Sequence, residues 1–152
     1  MKVNIVAVGK IKEKFFTDAI AEYAKRLSKF CDFNIIEVDE SSNITNIQLK
    51  KEKEGELLLS KAKGYIIALD GGGKLLSSED LAELLKTNMT NGESEFSFVI
   101  GGSNGLSDLV KTKANKIVSF GKITFPHQLF RVVLSEQIYR AFTINNHINY
   151  HK

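Results

Sequence analysis

Short β-branched runs alternate with helical patterns along the whole chain, and this alternation constrains the fold more than any other feature of the sequence. Five runs are predicted as strands: 3–8, 33–38, 65–69, 95–100 and 116–120. The segments between and after them are predicted as helices: 13–30, 43–62, 77–85, 108–115 and 126–143. Strands that alternate with helices form an α/β domain with a mostly parallel sheet. At 152 residues the chain has the length of one such domain, spanning 1–152.

Composition excludes several classes of protein. The single Cys31 rules out an internal disulfide and any cysteine-based metal cluster, so we expect a reducing compartment and a core role for this thiol. No apolar run approaches the roughly 20 residues of a membrane helix, and the N-terminus has no signal-peptide pattern. We therefore expect a cytoplasmic protein without a membrane partner. The net charge of +3 is too small to indicate a nucleic-acid binder by itself.

Three consecutive strands end in segments that could hold a ligand: 69–74, 101–105 and 120–125. In open α/β sheets, ligands bind outside the carboxyl ends of the strands. Glycines in the first two segments let the backbone approach a ligand closely. The usual nucleotide fingerprints are absent, since Gly-x-Gly-x-x-Gly does not occur and a P-loop ending at Gly73-Lys74 would need glycine at Ala68 and Ser or Thr at Leu75.

The histidines do not form a metal site. They are His127, His147 and His151, and none of them forms a helical His-x-x-x-His pair. His147 and His151 have that spacing but lie beyond the last predicted helix. We therefore expect no metal cofactor.

Four ordered motifs carry a resemblance to a known family. They are the run Phe98 to Leu106 around Gly101-Gly102-Ser103-Asn104-Gly105, the tetrapeptide Thr124-Phe125-Pro126-His127, the helix segment Arg131 to Ala141, and Tyr150-His151 at the end of the chain. With these motifs, the whole chain resembles the ribosomal RNA large subunit methyltransferase H family.

The resemblance implies a SPOUT-type α/β fold with a mostly parallel sheet and a C-terminal trefoil knot, located within about 65–152. A knot is an exception to the rule that chains do not thread through their own loops. The resemblance also implies a homodimer that uses S-adenosyl-L-methionine as methyl donor. The implied reaction is methylation of N3 of a pseudouridine in 23S ribosomal RNA, with the assembled ribosome as substrate and partner.

The resemblance also implies the cofactor contacts. They are Leu69, Gly101, Phe120, Gly121, Lys122, Ile123, Thr124 and Phe125. Adenine is flat and largely apolar, so backbone groups of a bent segment can bind its edge while Ile123 and Phe125 supply apolar walls.

N3 of pseudouridine is a weakly acidic imide nitrogen, so the site needs a base or a positive field that stabilises its anion. The candidates are His127, Arg131, Glu136, Arg140, Tyr150 and His151. His127 starts the last helix, where a neutral positioning histidine is favoured and where a capping or packing role is the alternative. Arg131 follows one turn later, and we expect it to face a negative group near the cofactor. Glu136 and Arg140 have the spacing of a helix-surface ion pair, and Arg140 also suits an RNA phosphate.

A polar terminal peptide is usually disordered, so the Tyr150-His151 pair at the chain end is unusual. We expect this tail to fold over the knot and to bring both side chains to the target base, in the same subunit or in its partner. Two alternatives remain open: a SPOUT enzyme that methylates a ribose hydroxyl or tRNA, and a non-catalytic ribosome-binding module. The chain has no length for the additional RNA-binding domain that ribose and tRNA enzymes commonly carry.

Overall fold

The computed structural model describes all 152 residues and contains five strands and five helices. In chain order they are β1 (Lys2–Val8), α1 (Lys14–Leu27), β2 (Asp32–Val38), α2 (Ile47–Lys61), β3 (Tyr65–Leu75), α3 (Ser78–Thr90), β4 (Glu95–Ile100), α4 (Asp108–Lys113), β5 (Lys116–Ser119) and α5 (His127–Asn145). The strands form one sheet in the order β2-β1-β4-β3-β5, and every neighbouring pair is parallel. The predicted α/β class with a parallel sheet is confirmed.

Both faces of the sheet are covered by helices, which follows from the alternating direction of side chains along each strand. In β1, Val3, Ile5 and Ala7 point into a core shared with α1, α3 and α5, and Val6 and Val8 point into a second core shared with α2 and α4. Each fully buried Leu or Phe in these cores contributes about 1.5–3 kcal/mol to stability.

The start of α3 is fixed by a pair of capping hydrogen bonds. The Ser77 hydroxyl accepts a hydrogen bond from the Asp80 backbone N–H, and the Asp80 carboxylate accepts one from the Ser77 backbone N–H. This reciprocal pair satisfies two backbone donors that a helix start leaves free. These hydrogen bonds lower the pKa of the exposed Asp80 carboxyl below its usual value.

The three glycines after Asp70 lie within a strand, which corrects the prediction of a loop. β3 continues to Leu75, and its pairing with β5 shifts register between Leu69 and Lys74. A Cβ at Gly73 would lie 2.7 Å from the backbone of Ile117 and Val118. A glycine is required there because the two backbones approach too closely for any side chain.

The last helix, α5, packs against both α1 and α3 and forms the centre of the larger core. It begins at His127 with Pro126 as its N-cap residue and continues to Asn145, two residues past the predicted end. As predicted, His147 and His151 lie beyond it. None of the helices has the length and apolar character that crossing a lipid bilayer requires.

Candidate functional site

A cavity of about 500 Å³ lies where β4 and β5 end and α5 begins, beside the middle of β3 at 69–71. Strand ends, the two segments 101–105 and 120–125, and the first turn of α5 form its wall. This is the position at which open α/β sheets bind ligands, and the volume is in the range of small-molecule sites.

The segment 120–125 is held at both ends. The Ser119 hydroxyl accepts a hydrogen bond of 3.1 Å from the Gly121 N–H, which tightens the turn after β5. At the other end, the rings of Phe120 and Phe125 both pack against Phe130 of α5, with centroids 5.4 and 5.5 Å apart. Ile123 stands between these anchors with 77% of its surface exposed. The backbone of the segment is therefore fixed, while an apolar side chain remains free to cover a ligand.

The glycine segment 101–105 closes on itself. The Gly105 N–H donates to the Gly102 carbonyl over 3.0 Å, and a Cβ at Gly101 would lie 2.7 Å from the Gly105 carbonyl carbon. Behind it, the buried Glu54 of α2 accepts a hydrogen bond from the Ser41 N–H, and its second oxygen has no partner. Only glycine at position 101 permits this compact turn, which presents backbone groups to the cavity.

All eight residues predicted to contact the cofactor line this cavity, as does His127. Their direct binding to a ligand stays a prediction. The donor set fits an adenosyl group, because backbone amides and carbonyls of 101–105 and 120–125 alternate with the apolar side chains of Ile100, Leu106 and Val118. No three His, Cys, Asp or Glu side chains lie close enough together to hold a metal ion.

Four further polar or aromatic residues beyond the predicted cofactor contacts line the cavity: Asp70, Ser103, Ser119 and Phe130. Asp70 and Ser103 lie in the segments 69–74 and 101–105 that the sequence predicts to hold a ligand, whereas Ser119 and Phe130 were not predicted. Phe130 lies three residues after His127 on the predicted helix, so its place on the same helix face was also available from the spacing.

Arg131 does not line the cavity, which corrects the prediction that it faces a negative group near the cofactor. Its side chain is 1% exposed and bonds to Glu37 Oε2 over 2.7 Å and to the carbonyls of Val8 and Gly9. Glu37 also accepts the Ile11 N–H over 2.8 Å. Burial lowers the pKa of the Arg131 guanidinium, and the ion pair with Glu37 opposes that shift. Arg131 therefore fastens the ends of β1 and β2 to α5.

Arg140, Tyr150 and His151 form a second group together with Glu136 and Glu79, which we call the tail cluster. The Tyr150 hydroxyl donates to Glu136 Oε1 over 3.0 Å, and Arg140 Nε donates to the same oxygen over 2.9 Å. The tail thus folds back on α5, and the predicted Glu136–Arg140 ion pair is present at its base.

His151 completes the tail cluster. Its Nδ1 lies 3.1 Å from Arg140 Nη1, and its Nε2 lies 2.7 Å from Glu79 Oε1 on α3. A guanidinium only donates hydrogen bonds, so Nδ1 must be the accepting nitrogen and Nε2 carries the proton that is donated to Glu79. The hydrogen bond from His151 lowers the pKa of the Glu79 carboxyl. Nδ1 is therefore the proton-accepting atom of this ring.

The phenol of Tyr150 is not a base in this arrangement. Burial and the hydrogen bond to Glu136 raise its pKa from 10.0 to about 12, so it is protonated at neutral pH and acts as a donor.

Within one chain, the tail cluster and the cavity are separate. No tail residue lines the cavity. A smaller cavity of about 300 Å³ lies between them, with Phe120 and Phe125 on one side and Gln137 on the other. Gln137 accepts from the Ser78 hydroxyl and donates to Glu136, so it joins this smaller cavity to the tail cluster.

Comparison with known proteins gives consistent results. The model of a family described as "Predicted SPOUT methyltransferase" matches residues 1–151. Proteins named ribosomal RNA large subunit methyltransferase H, from Clostridium botulinum and Latilactobacillus sakei, are 52% and 50% identical to this chain, and each alignment covers all of both chains. A solved structure of a probable methylase family protein from Haemophilus influenzae aligns with 99% of this chain and 70% of its own, at 13% identity and a TM-score of 0.55. This last similarity concerns the fold.

Proposed function

This chain belongs to the SPOUT methyltransferase family, and from that premise we propose that it methylates N3 of a pseudouridine in 23S ribosomal RNA with S-adenosyl-L-methionine as methyl donor. The relatives from Clostridium botulinum and Latilactobacillus sakei, which are similar over their full length, carry the name of a ribosomal RNA methyltransferase. We further propose that the assembled ribosome is the substrate, which places the protein in the cytoplasm.

The cavity beside the middle of β3, at the ends of β4 and β5, is the observation that carries this proposal. Its size, its exposed backbone groups and its apolar walls fit an adenosyl cofactor. When bound there, S-adenosyl-L-methionine supplies an activated methyl group on a sulfonium. The protein contributes alignment of the donor and acceptor, and such alignment supplies a large part of the acceleration in a displacement reaction.

The tail cluster offers the groups that activation of N3 requires. The Arg140 guanidinium supplies a positive field for the N3 anion, and His151 Nδ1 accepts the N3 proton after releasing the hydrogen bond that it receives from Arg140 Nη1. Tyr150 donates a hydrogen bond and orients the cluster through Glu136. His127 stands at the mouth of the cavity, where it can position the base.

A homodimer would bring the two groups together, because the tail cluster does not reach the cavity of its own chain. We propose that the tail of one subunit completes the cavity of the other. The outer side of α5 supports this, since the exposed Leu129 and the half-buried Val132 and Val133 form an apolar strip there. An apolar helix strip at this position suits an isologous contact between two copies of α5.

We also propose that 65–152 contains the trefoil knot within a single domain. The family match and the structural neighbour confirm the SPOUT-type α/β fold that the sequence predicts. The neighbourhood of 120–125 supports this proposal, because the segment shares the cavity wall with 69–71 of β3 and with Ile100 at the end of β4, and α5 then packs against α1 and α3.

Purified ribosomes from a strain that lacks this gene provide the test. Incubation with the protein and S-adenosyl-L-methionine should add one methyl group to a pseudouridine of 23S ribosomal RNA, as detected by nucleoside mass spectrometry. Methylation of a ribose, or of tRNA in a parallel reaction, would replace the proposed reaction with the first alternative. Failure to bind S-adenosyl-L-methionine in calorimetry would favour a non-catalytic ribosome-binding module.

A further inference from the structure

Asp70 is the only acidic residue among those that line the cavity. Its side chain is 24% exposed, so its charge is partly shielded from water. The cavity wall also contains one lysine, Lys122, which lies in the exposed part of the segment 120–125. A single carboxylate in a partly dry cavity has a stronger electrostatic effect on a charged ligand than the same group on an open surface.

The position of the Asp70 carboxylate is fixed by its neighbours. Its Oδ2 accepts the N–H of Gly72 over 3.0 Å, and this bond belongs to the bulge in β3. Its Oδ1 lies 3.7 Å from Nζ of Lys111 on α4, which is beyond the length of a good charged hydrogen bond. Lys111 does not line the cavity. The negative charge of Asp70 is therefore held in place but only partly neutralised.

The methyl donor and the product that it leaves differ by one positive charge. S-adenosyl-L-methionine carries a methylsulfonium, whereas S-adenosyl-L-homocysteine carries a neutral thioether, so the two molecules differ by one methyl group and one positive charge. A cavity of about 500 Å³ is small enough that any ligand within it lies inside one Debye length of Asp70, about 10 Å. The carboxylate must consequently distinguish the two ligands by charge.

Resting on the proposed function, we infer that Asp70 is a specificity-determining residue that makes the cavity prefer the positively charged methyl donor over its neutral product. Lys111 sets the strength of this preference by partly neutralising Asp70. The arrangement favours exchange of spent cofactor for fresh cofactor after each transfer, because the attraction of the site for its ligand falls when the sulfonium charge is lost.

Calorimetric titration of the full-length protein with each ligand tests the inference. Asp70→Asn should weaken binding of S-adenosyl-L-methionine about tenfold, the effect of losing one partly screened charge pair, and should change binding of S-adenosyl-L-homocysteine less than about twofold. Lys111→Met should act in the opposite direction and increase the preference for S-adenosyl-L-methionine. The matched control is Asp32→Asn, which makes the same chemical change at the amino end of β2, away from the cavity.

Salt provides a second arm of the test. Raising the ionic strength should reduce the preference of the unmodified protein for S-adenosyl-L-methionine and should leave the Asp70→Asn variant unaffected. Equal weakening of both ligands by Asp70→Asn would overturn the inference, because it would mean that Asp70 binds a group that they share. That result would leave the proposed function intact. Failure of the unmodified protein to bind either ligand would instead contradict both proposals.

Discussion

At the scale of single residues, Arg131 joins three parts of the chain through Glu37 and the carbonyls of Val8 and Gly9. Arg131→Met should lower the free energy of unfolding by about 3 kcal/mol, because it removes the positive partner of Glu37 and leaves two carbonyls without their donor. This loss of stability is at the low end of the range expected when a buried ion pair is broken, because a third of the Glu37 side chain is exposed. Denaturant-induced unfolding of the Arg131→Met variant and of the unmodified protein measures this difference in free energy.

The control for that measurement is Lys14→Met. Lys14 and Asp18 form an ion pair on the surface of α1, with side chains 87% and 60% exposed. Losing such a pair should change the free energy of unfolding by less than about 0.5 kcal/mol. A similarly small change for Arg131→Met would mean that Arg131 does not fasten the strand ends to α5.

Tyr150 makes stability depend on pH in the alkaline range. Its pKa is raised to about 12 in the folded chain, against 10.0 for an ordinary tyrosine. A raised pKa favours the protonated folded state, so this contribution is complete below pH 10 and is lost as the pH rises towards 12. The free energy of unfolding of Tyr150→Phe should therefore fall less between pH 10 and pH 12 than that of the unmodified protein. In an absorbance titration of tyrosinate, this variant should also lack the step near pH 12.

Tyr65→Phe is the matched variant for this titration, because it removes a tyrosine outside the tail cluster. It should keep the late step. If the step survived in Tyr150→Phe instead, the hydrogen bond to Glu136 would not persist in solution.

The sequence predicts which residues share a helix face but not how deeply each is buried. His127 and Arg131 are four residues apart, a spacing that places two residues on one side of a helix. Their environments differ because α5 leaves the cavity within one turn and enters the space between the ends of β1 and β2. Glu37, the partner of Arg131, is 94 residues away in the chain, and no local pattern reveals such a pairing.

At the scale of elements, the strands and helices were predictable because each buries one apolar face. The predicted strands and helices are all present, and α3 begins at Ser78, one residue from the predicted start. The extension of β3 was not predictable, since three consecutive glycines ordinarily indicate a turn. Here their lack of side chains serves close packing against β5, a property of the assembled sheet.

The C-terminal tail is the element with the clearest functional prediction. Deleting 149–152 removes the hydrogen bonds of Tyr150 to Glu136 and of His151 to Arg140 and Glu79. We expect methylation of ribosomes to fall by about a hundredfold or more, the usual contribution of acid–base groups. Binding of S-adenosyl-L-methionine should change little, because the tail does not line the cavity. Initial rates and calorimetry measure the two effects.

Deleting Lys152 alone is the matched control, because this exposed residue makes no hydrogen bond or ion pair through its side chain. It should keep full activity. Full activity of the longer deletion would show that the tail has no part in the reaction.

At the scale of the whole molecule, the proposed dimer has a consequence for mixtures of inactive subunits. Gly101→Val should displace the 101–105 segment and disable the cavity, while deletion of 149–152 disables the tail. Each variant alone should be inactive. Their mixture should recover activity after subunit exchange, because one of the two sites in a mixed dimer combines an intact cavity with an intact tail. Methyl transfer to ribosomes by the mixture measures this recovery.

A mixture no more active than its separate components would place both groups in one subunit. Sedimentation of the unmodified protein and of each variant would establish that all of them form dimers under the same conditions.

The cavity could be predicted from the sequence because its wall is made of a few contiguous segments at the ends of neighbouring strands. The eight cofactor residues implied by family resemblance are brought to one place by the parallel order of β4, β3 and β5. The relation between cavity and tail could not be predicted, because it depends on how α5 packs across the sheet and, in the proposed dimer, on a second copy of the chain.

We propose that this protein methylates 23S ribosomal RNA with a methyl donor bound in the cavity. The ribosomal RNA of a strain that lacks the gene tests this proposal most directly. Mass spectrometry of 23S fragments should show one pseudouridine without its methyl group, restored by the unmodified gene and not by one encoding Gly101→Val. An identical methylation pattern with and without the gene would contradict the account.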